Sequence, residues 1–222
     1  VDLTTDRIVG FEALVRWQHP ERGLVPPLAF IPLAEETGLI ERLGEQVLLI
    51  ACRQMRQWHD DGLPLSRMAV NLSARQFRIP DLPERIAAVL AATGLRGEHL
   101  ELEVTESTMM QNPEAATALL MNLKSMGVLI AVDDFGTGYS SLSYLKSLPI
   151  DFLKIDKSFV SGVPVATDDV AIIRAIIAMA KSLGHRLIAE GVEREDQRAF
   201  LEEQGCDEAQ GWLFSKPLPG PE

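Results

Sequence analysis

Short apolar runs that lead into a charged or amide side chain recur along the chain. The plainest run covers residues 129–132 and leads into Asp133 and Asp134. The same arrangement recurs at four further positions: Asn71, Glu103, Lys154 and Glu190. Such runs are typical of buried strands, and strands separated by helices lie parallel, so their carboxyl ends meet on one face. The pattern predicts a polar site there, although each residue alone also fits a strand-end polar group or a helix cap.

Helical segments alternate with these runs. The predicted helices cover residues 40–58, 82–93, 112–127, 140–147, 170–183 and 196–204. The predicted strands cover residues 1–3, 8–15, 68–70, 100–104, 128–132, 152–155 and 186–189, with a last apolar run at residues 210–214. Asn112 followed by Pro113 is typical of a helix start, and Gly94 and Gly184 are typical of helix ends.

This alternation predicts an α/β fold. Only residues 4–7 separate the first two strands, which is too short for a parallel crossover, so these strands should pair antiparallel. The number of βα units favours a modified (β/α)8 TIM barrel whose first strand is partly missing, with its site at the carboxyl ends of the strands. An open flavodoxin-like sheet is the alternative. We expect one domain over residues 1–222, cut from a longer protein.

Composition narrows the classes of partner. The net charge of -11 argues against general nucleic-acid binding, which needs basic residues to neutralise phosphates, but it allows bound cations and hence a phosphate-containing ligand. Cys52 and Cys206 fit no disulfide or zinc pattern and are expected to be buried thiols. No apolar stretch is long enough to span a bilayer, so we expect a cytoplasmic domain without membrane contact.

The candidate site is rich in hard oxygen donors, which suit Mg²⁺ or Mn²⁺ better than Zn²⁺. The donors are Glu12, Asn71, Glu103, Asp133, Asp134 and Glu190. Adjacent carboxylates at residues 133 and 134 can serve two ions, which together stabilise an in-line displacement, although Asp134 also fits a helix cap. The four histidines have no paired spacing of the kind that zinc hydrolases show.

Two further features leave alternatives open. Lys154 could steady a metal-bound water or a phosphate, or it could be a Schiff-base lysine of the aldolase type. The surrounding acids favour a protonated amine and hence the electrostatic role. The glycine-rich segment at residues 135–141 fits either a mobile lid or a tight strand-to-helix turn.

The ordered motifs resemble a known family. Glu12-Ala13-Leu14 followed by Val15-Arg16-Trp17 resembles the signature of the EAL-domain family of cyclic di-GMP phosphodiesterases. Further blocks occur in the family's order: Asn71-Leu72-Ser73, Glu103-Val104-Thr105-Glu106, Asp133-Asp134-Phe135-Gly136-Thr137-Gly138, Lys154-Ile155-Asp156, Ala189-Glu190-Gly191-Val192-Glu193 and Gln210-Gly211-Trp212. The resemblance spans nearly the whole chain, with Trp212 where the family more often has Tyr or Phe.

The resemblance implies a TIM-like barrel with one reversed strand and an enzyme that hydrolyses cyclic di-GMP to linear pGpG with two Mg²⁺ or Mn²⁺ ions. By similarity, the first ion is held by Glu12, Asn71, Glu103 and Asp133, and the second by Asp133, Asp134 and Glu190. Lys154 would contact the attacking water, and Glu190 would also act as general base.

The resemblance also implies roles around the site. Arg16 would meet a substrate phosphate, Gln210 would assist in the pocket, and Glu106 would anchor the lid loop. A homodimer and a fused upstream sensory or diguanylate cyclase domain are expected, and the full-length protein could be membrane-anchored through other segments. The alternative function is a catalytically silent receptor that binds cyclic di-GMP.

Overall fold

Seven parallel strands form the central sheet of the protein. The structure is a computed structural model that describes residues 1–137 and 145–220. Its strands are β1 (Gly10–Ala13), β2 (Trp17–His19), β3 (Gly23–Val25), β4 (Arg67–Asn71), β5 (Leu100–Thr105), β6 (Leu129–Phe135), β7 (Phe152–Ile155), β8 (Arg186–Ala189) and β9 (Glu208–Ala209). The 7-stranded sheet has the order β1-β4-β5-β6-β7-β8-β9, and β2 pairs with β3 in a separate hairpin. Because strand order follows chain order, the sheet lacks the reversal of an open doubly wound sheet.

Helices separate the strands along the chain. They are α1 (Ile31–Thr37), α2 (Leu39–Asp60), α3 (Leu82–Thr93), α4 (Glu106–Met110), α5 (Pro113–Ser125), α6 (Lys157–Val160), α7 (Thr167–Leu183) and α8 (Glu195–Gln204). The side chain of Asn112 caps α5 by accepting a hydrogen bond from the Ala115 N–H at 3.3 Å. Gly94 ends α3 with a left-handed φ of 67°, which confirms the helix end that the sequence predicts there.

Each barrel strand presents two different faces. Outward residues such as Val70, Leu102 and Leu153 join the large core beneath the helices. Inward residues alternate with them, because successive strand side chains point to opposite faces. Ala131, Phe152 and Ile188 form a separate apolar cluster, as expected for side chains inside the barrel. Polar residues lie before and after this cluster on the same inward faces, and those at the carboxyl ends form the site described below.

The N-terminal segment runs antiparallel beside β9. Asp2 forms antiparallel bridges with both Arg7 and Glu208. The Ala209 N–H donates to the Val1 carbonyl at 2.9 Å, so the segment lies along the edge of β9. The fold is therefore a modified TIM barrel with one short antiparallel strand, as the sequence predicts. The predicted pairing of residues 1–3 with residues 8–15 is wrong in extent, because it is reduced to the Asp2–Arg7 bridge, and β1 pairs parallel with β4.

Several local predictions need correction. The hairpin of β2 and β3 and the short helices α1, α4 and α6 were not expected. β6 extends to Phe135, so Asp133 and Asp134 lie within the strand and not after it. The last strand is Glu208–Ala209, just before the predicted apolar run at residues 210–214. The predicted helix at residues 140–147 and most of the glycine-rich segment at residues 135–141 lie outside the described residues.

The structure also bears on the predictions about membrane-spanning segments and about the cysteines. In the described part of the chain, no helix has both the length and the apolar character needed to cross a bilayer. Cys52 and Cys206 are free and buried. Burial raises the pKa of both thiols to about 12, so neither is a ready nucleophile.

Candidate active site

The polar residues predicted from the strand ends and from the family resemblance come together at the carboxyl end of the barrel. Glu12 lies in β1, Asn71 ends β4, and Glu103 lies within β5. Asp133 and Asp134 lie in β6, and Lys154 lies in β7. Glu190 and Gln210 directly follow β8 and β9. Parallel strands therefore carry one or two polar side chains each to the same face.

Lys154 lies at the centre of this group. Its Nζ is 2.6 Å from Glu103 Oε1, 2.6 Å from Glu190 Oε1 and 3.4 Å from Asp133 Oδ1. Only 1% of the lysine side chain is exposed. Burial alone would lower the pKa of Lys154, but the surrounding carboxylates outweigh it and raise the pKa well above its usual value. The amine is therefore an ammonium, which argues against the Schiff-base role, since that role needs a neutral amine.

Gln210 and Asn71 connect Glu12 to the rest of the site. Asn71 Nδ2 donates to Glu12 Oε1 at 2.7 Å. Gln210 Nε2 donates to Glu12 Oε2 at 2.9 Å and to Glu190 Oε1 at 2.8 Å. The Gln210 amide joins the end of the last strand to Glu12 in the first strand, so the site also bridges the two edges of the sheet at this end.

Asp133 and Asp134 lie at an irregularity in β6. The register between β6 and β7 shifts between Val132 and Phe135, and Asp134 has a left-handed φ of 53°. Such a bulge changes the direction of a side chain that would otherwise alternate between faces. Carboxylate oxygens of Asp133, Asp134 and Glu190 consequently lie within 4.8 Å of one another.

Crowding of like charges changes the proton affinity of the acids. Burial raises the pKa of Asp134, and the carboxylates of Asp133 and Asp156 raise it further. Burial, opposed in part by Lys154, raises the pKa of Glu190 to about 7. Burial also raises the pKa of Glu103 well above its usual value. Glu103 Oε2 is buried and has no hydrogen-bond partner among the described residues.

This donor set fits divalent cations. Mg²⁺ and Mn²⁺ prefer carboxylate and amide oxygens. The site contains five carboxylates, from Glu12, Glu103, Asp133, Asp134 and Glu190, and the Lys154 ammonium contacts three of them. Burial is the main cause of the raised carboxylate pKa values, and the neighbouring carboxylates add to it. A divalent cation would offset the negative charge of these carboxylates, since opposite charge stabilises their ionised form.

Glu106 and Arg16 lie at the margin of the site. Glu106 begins α4, is buried, and accepts a hydrogen bond from the Gly136 N–H at 3.3 Å. It therefore contacts the first residues of the segment that follows the two aspartates. Arg16 lies in the loop after β1, is exposed, and donates to the Val15 carbonyl at 2.8 Å. The structure thus places Arg16 outside the carboxylate cluster.

Sequence reasoning missed the position of Asp156. Its carboxylate interacts with that of Asp134 and also caps α6 by accepting from the Ser158 N–H at 3.0 Å. The sequence did carry a signal for this position. Asp156 comes two residues after Lys154, and residues two apart on a strand share a face. The buried charges of Arg67, Glu101 and Glu208 inside the barrel were also not expected.

Sequence comparison places these residues in a family context. The model of the family described as EAL domain matches residues 1–217. MucR of Pseudomonas aeruginosa, named a bifunctional diguanylate cyclase/cyclic di-GMP phosphodiesterase, is 50% identical over 212 residues, which are 96% of this chain and 31% of MucR. NbdA of the same organism, named a cyclic di-GMP phosphodiesterase, is 48% identical over 98% of this chain and 28% of its own length. The chain thus spans about a third of these relatives.

Solved structures agree with the sequence comparison. A MucR phosphodiesterase in complex with c-di-GMP has a TM-score of 0.93 at 49% identity, and the match covers 96% of this chain and 86% of that chain. The FimX EAL domain from Pseudomonas aeruginosa bound to c-di-GMP has a TM-score of 0.89 at 26% identity, covering 98% of this chain and 87% of that chain.

Proposed function

Because the chain belongs to the EAL domain family, we propose that it hydrolyses one phosphodiester bond of cyclic di-GMP and releases linear pGpG. The observation that carries the proposal is the convergence of Lys154 with Glu103, Asp133 and Glu190 at the carboxyl end of the barrel. The names and ligands of relatives with the same fold support the choice of substrate.

In this proposal the acids hold two divalent ions, Mg²⁺ or Mn²⁺. The first ion is held by Glu12, Asn71, Glu103 and Asp133. The second is held by Asp133, Asp134 and Glu190, whose oxygens already lie close together. When bound, such ions lower the pKa of a coordinated water and offset charge on phosphate oxygens.

The remaining side chains orient the reactants. The Lys154 ammonium contacts the attacking water in this proposal, because its Nζ lies among the proposed metal ligands, 2.6 Å from both Glu103 Oε1 and Glu190 Oε1. Glu190 accepts the proton of that water, since its carboxylate lies 2.6 Å from the Lys154 ammonium at the centre of the site. Gln210 fixes the Glu190 carboxylate through a hydrogen bond of 2.8 Å.

Two residues at the margin complete the proposed site. Arg16 binds a substrate phosphate, since it is exposed beside β1 and its guanidinium pairs with no carboxylate among the described residues. Glu106 anchors the lid loop that begins at Gly136, through the hydrogen bond at 3.3 Å.

We also propose that the chain acts as part of a longer cytoplasmic protein and forms a homodimer. The curated relatives are about three times as long as the matched region, and one is named for a diguanylate cyclase activity as well. An upstream diguanylate cyclase or sensory domain would allow a signal to control the phosphodiesterase.

Incubation with cyclic di-GMP tests the proposal. The chain is mixed with cyclic di-GMP and Mg²⁺, Mn²⁺ or EDTA, and products are separated by chromatography. We expect pGpG with either ion and none with EDTA. Measurable binding of cyclic di-GMP without any product would instead support a receptor.

A further inference from the structure

Trp212 lies exposed beside two lysines at the margin of the candidate site. It follows the last strand, β9, and 60% of its surface is exposed. The Nζ of Lys157 lies 5.4 Å from the centre of its ring, and the Nζ of Lys216 lies 5.5 Å from it. Both distances are within the range of a cation–π contact. We call these three residues the lysine–tryptophan cluster.

Close backbone packing holds the cluster against the loop that follows β8. Val192 in that loop bonds through both its N–H and its carbonyl, each at 3.0 Å, with the segment 210–213. A Cβ atom at Gly211 would lie 2.2 Å from the Val192 carbonyl oxygen, so only glycine permits this approach. The stem of Lys157 likewise lies against Gly191, where a Cβ atom would be 2.4 Å from its Cγ. The backbone therefore sets the positions of Trp212 and Lys157.

The cluster adjoins the carboxylates through the segments that follow β7 and β9. Gln210, two residues before Trp212, donates to a carboxylate of the site at 2.8 Å. Because neighbouring Cα atoms are about 3.8 Å apart, the Cα atoms of these two residues lie within about 8 Å of each other. Lys157 directly follows Asp156, whose carboxylate interacts with that of Asp134. A ligand of the size of a dinucleotide can therefore contact the carboxylates and the cluster together.

The cluster is positive in an acidic chain. The net charge of the chain is -11. Lys157 pairs with Glu193 at 2.7 Å, whereas Lys216 has no carboxylate within ion-pair distance among residues 1–137 and 145–220. An ammonium without a carboxylate partner beside an exposed indole suits a ligand that has both an anion and a flat ring. A guanine nucleotide has both, since its base stacks on aromatic rings and its phosphate attracts cations.

We propose that the lysine–tryptophan cluster binds one guanine base of cyclic di-GMP, with the base stacked on the Trp212 ring and the Lys216 ammonium offsetting phosphate charge nearby. This inference rests on the proposed function, because it names the surface that holds one end of the same substrate. The ring does not touch the reacting phosphate, so stacking stabilises bound substrate and transition state alike. Such uniform binding lowers KM and leaves kcat unchanged.

Substitutions at Trp212 test this role through kinetics. Trp212→Leu removes the ring but keeps an apolar side chain, and Trp212→Phe is the matched control because it keeps a ring that can stack. Hydrolysis with Mg²⁺ is measured over a range of cyclic di-GMP concentrations, and thermal melting verifies that both variants fold. We expect Trp212→Leu to raise KM about tenfold at unchanged kcat, within the range for one stacked base, and Trp212→Phe to stay closer to the unaltered chain. An unchanged KM in folded Trp212→Leu would overturn the inference.

Calorimetry in EDTA separates stacking from turnover. EDTA prevents the proposed hydrolysis, so the affinity for intact cyclic di-GMP is measured directly for the unaltered chain and both variants. We expect Trp212→Leu to bind about tenfold more weakly than Trp212→Phe. Equal affinities would overturn the inference even where hydrolysis with Mg²⁺ is confirmed. Weaker binding by Trp212→Leu in a chain that forms no pGpG would support the stacking role and refute the proposed hydrolysis. No binding by the unaltered chain, with or without Mg²⁺, would overturn both.

Discussion

Lys154 determines the charge balance of the site at the scale of single residues. One ammonium contacts Glu103, Glu190 and Asp133, while Glu12 and Asp134 lie in the same cluster. The site therefore keeps an excess of negative charge even with Lys154 protonated. Burial raises the carboxylate pKa values and the excess of like charge raises them further, so divalent cations fit there.

Loss of the Glu12 carboxylate should abolish turnover. Glu12→Ala removes a proposed metal ligand and the acceptor of the Asn71 and Gln210 amides. We expect cyclic di-GMP hydrolysis to fall by at least about 100-fold, the upper range for loss of contacts around a metal. Glu21→Ala, at an exposed position, is the control and should leave the rate unchanged. A near-normal rate in Glu12→Ala would mean that the ligand assignment is wrong.

Glu190 should make the metal-free chain less stable as pH rises. Its pKa is about 7 in the folded chain against an ordinary 4.5, so the folded state binds the proton more tightly than the unfolded state. The resulting stabilisation is complete below pH 4.5 and is lost as pH rises through about 7.

Glu190→Gln removes this dependence because the amide does not titrate. Urea unfolding in EDTA at several pH values measures the free energy of unfolding of both proteins. We expect the stability of the variant relative to the unaltered chain to rise between pH 4.5 and pH 7. A difference that stays constant across this window would contradict the assigned shift.

At the scale of elements, β6 gives the site its particular geometry. The bulge between Val132 and Phe135 lets adjacent aspartates approach the same group of oxygens. The sequence predicts a strand with two acids at its end, but not the irregular backbone that directs both of them. That conformation depends on pairing with β7 and on the contact from Glu106 to Gly136, and neither can be deduced from local pattern.

Removal of the Glu106 contact should slow catalysis more than it weakens binding. Glu106→Ala eliminates the acceptor for the Gly136 N–H, two residues after Asp134. We expect kcat to fall about tenfold with little change in KM, the lower range for a positioning contact. Glu106→Gln keeps a carbonyl oxygen and should stay close to the unaltered chain. Equal losses in both variants would show that charge, and not this hydrogen bond, matters.

Helices with clear end signals were well predicted, and short elements were not. α3 matches its predicted residues 82–93, and α5 begins at the predicted Asn112–Pro113 start. The hairpin of β2 and β3 has only three residues in each strand, and Leu24 and Trp17 are exposed. Strands this short and this exposed show no alternation of apolar and polar residues, because neither face is buried along its length.

At the scale of the whole molecule, the barrel interior alternates charged and apolar levels. The Arg67 network closes the end opposite the site, the Ala131–Phe152–Ile188 cluster lies between, and the candidate catalytic residues lie above. Of these levels, the sequence predicts only the one formed by the polar residues at the strand ends. Arg67 and Glu208 begin their strands, where a charged residue is ordinarily exposed, so partners 141 residues apart could not be assigned from pattern alone.

Loss of the Arg67 guanidinium should destabilise the barrel strongly. Arg67→Met keeps the length of the side chain but leaves Glu101 buried without its cation and leaves Glu208 with Arg186, at 2.9 Å, as its remaining partner among the described residues. We expect the free energy of unfolding to fall by about 3–5 kcal/mol, as for other broken buried pairs. Arg56→Met, which removes the exposed pair with Asp60, should cost less than about 1 kcal/mol. Urea unfolding measures both, and similar small losses would contradict the role of the network.

In the proposed reaction, water attacks cyclic di-GMP at the strand-end carboxylates. Hydrolysis in water enriched in oxygen-18, followed by mass spectrometry of the product, traces the attacking oxygen. With Mg²⁺ or Mn²⁺ present, we predict pGpG carrying a single heavy oxygen on its terminal phosphate, and no product in EDTA. Cyclic di-GMP that binds but stays intact, or pGpG without the label, would contradict the claim.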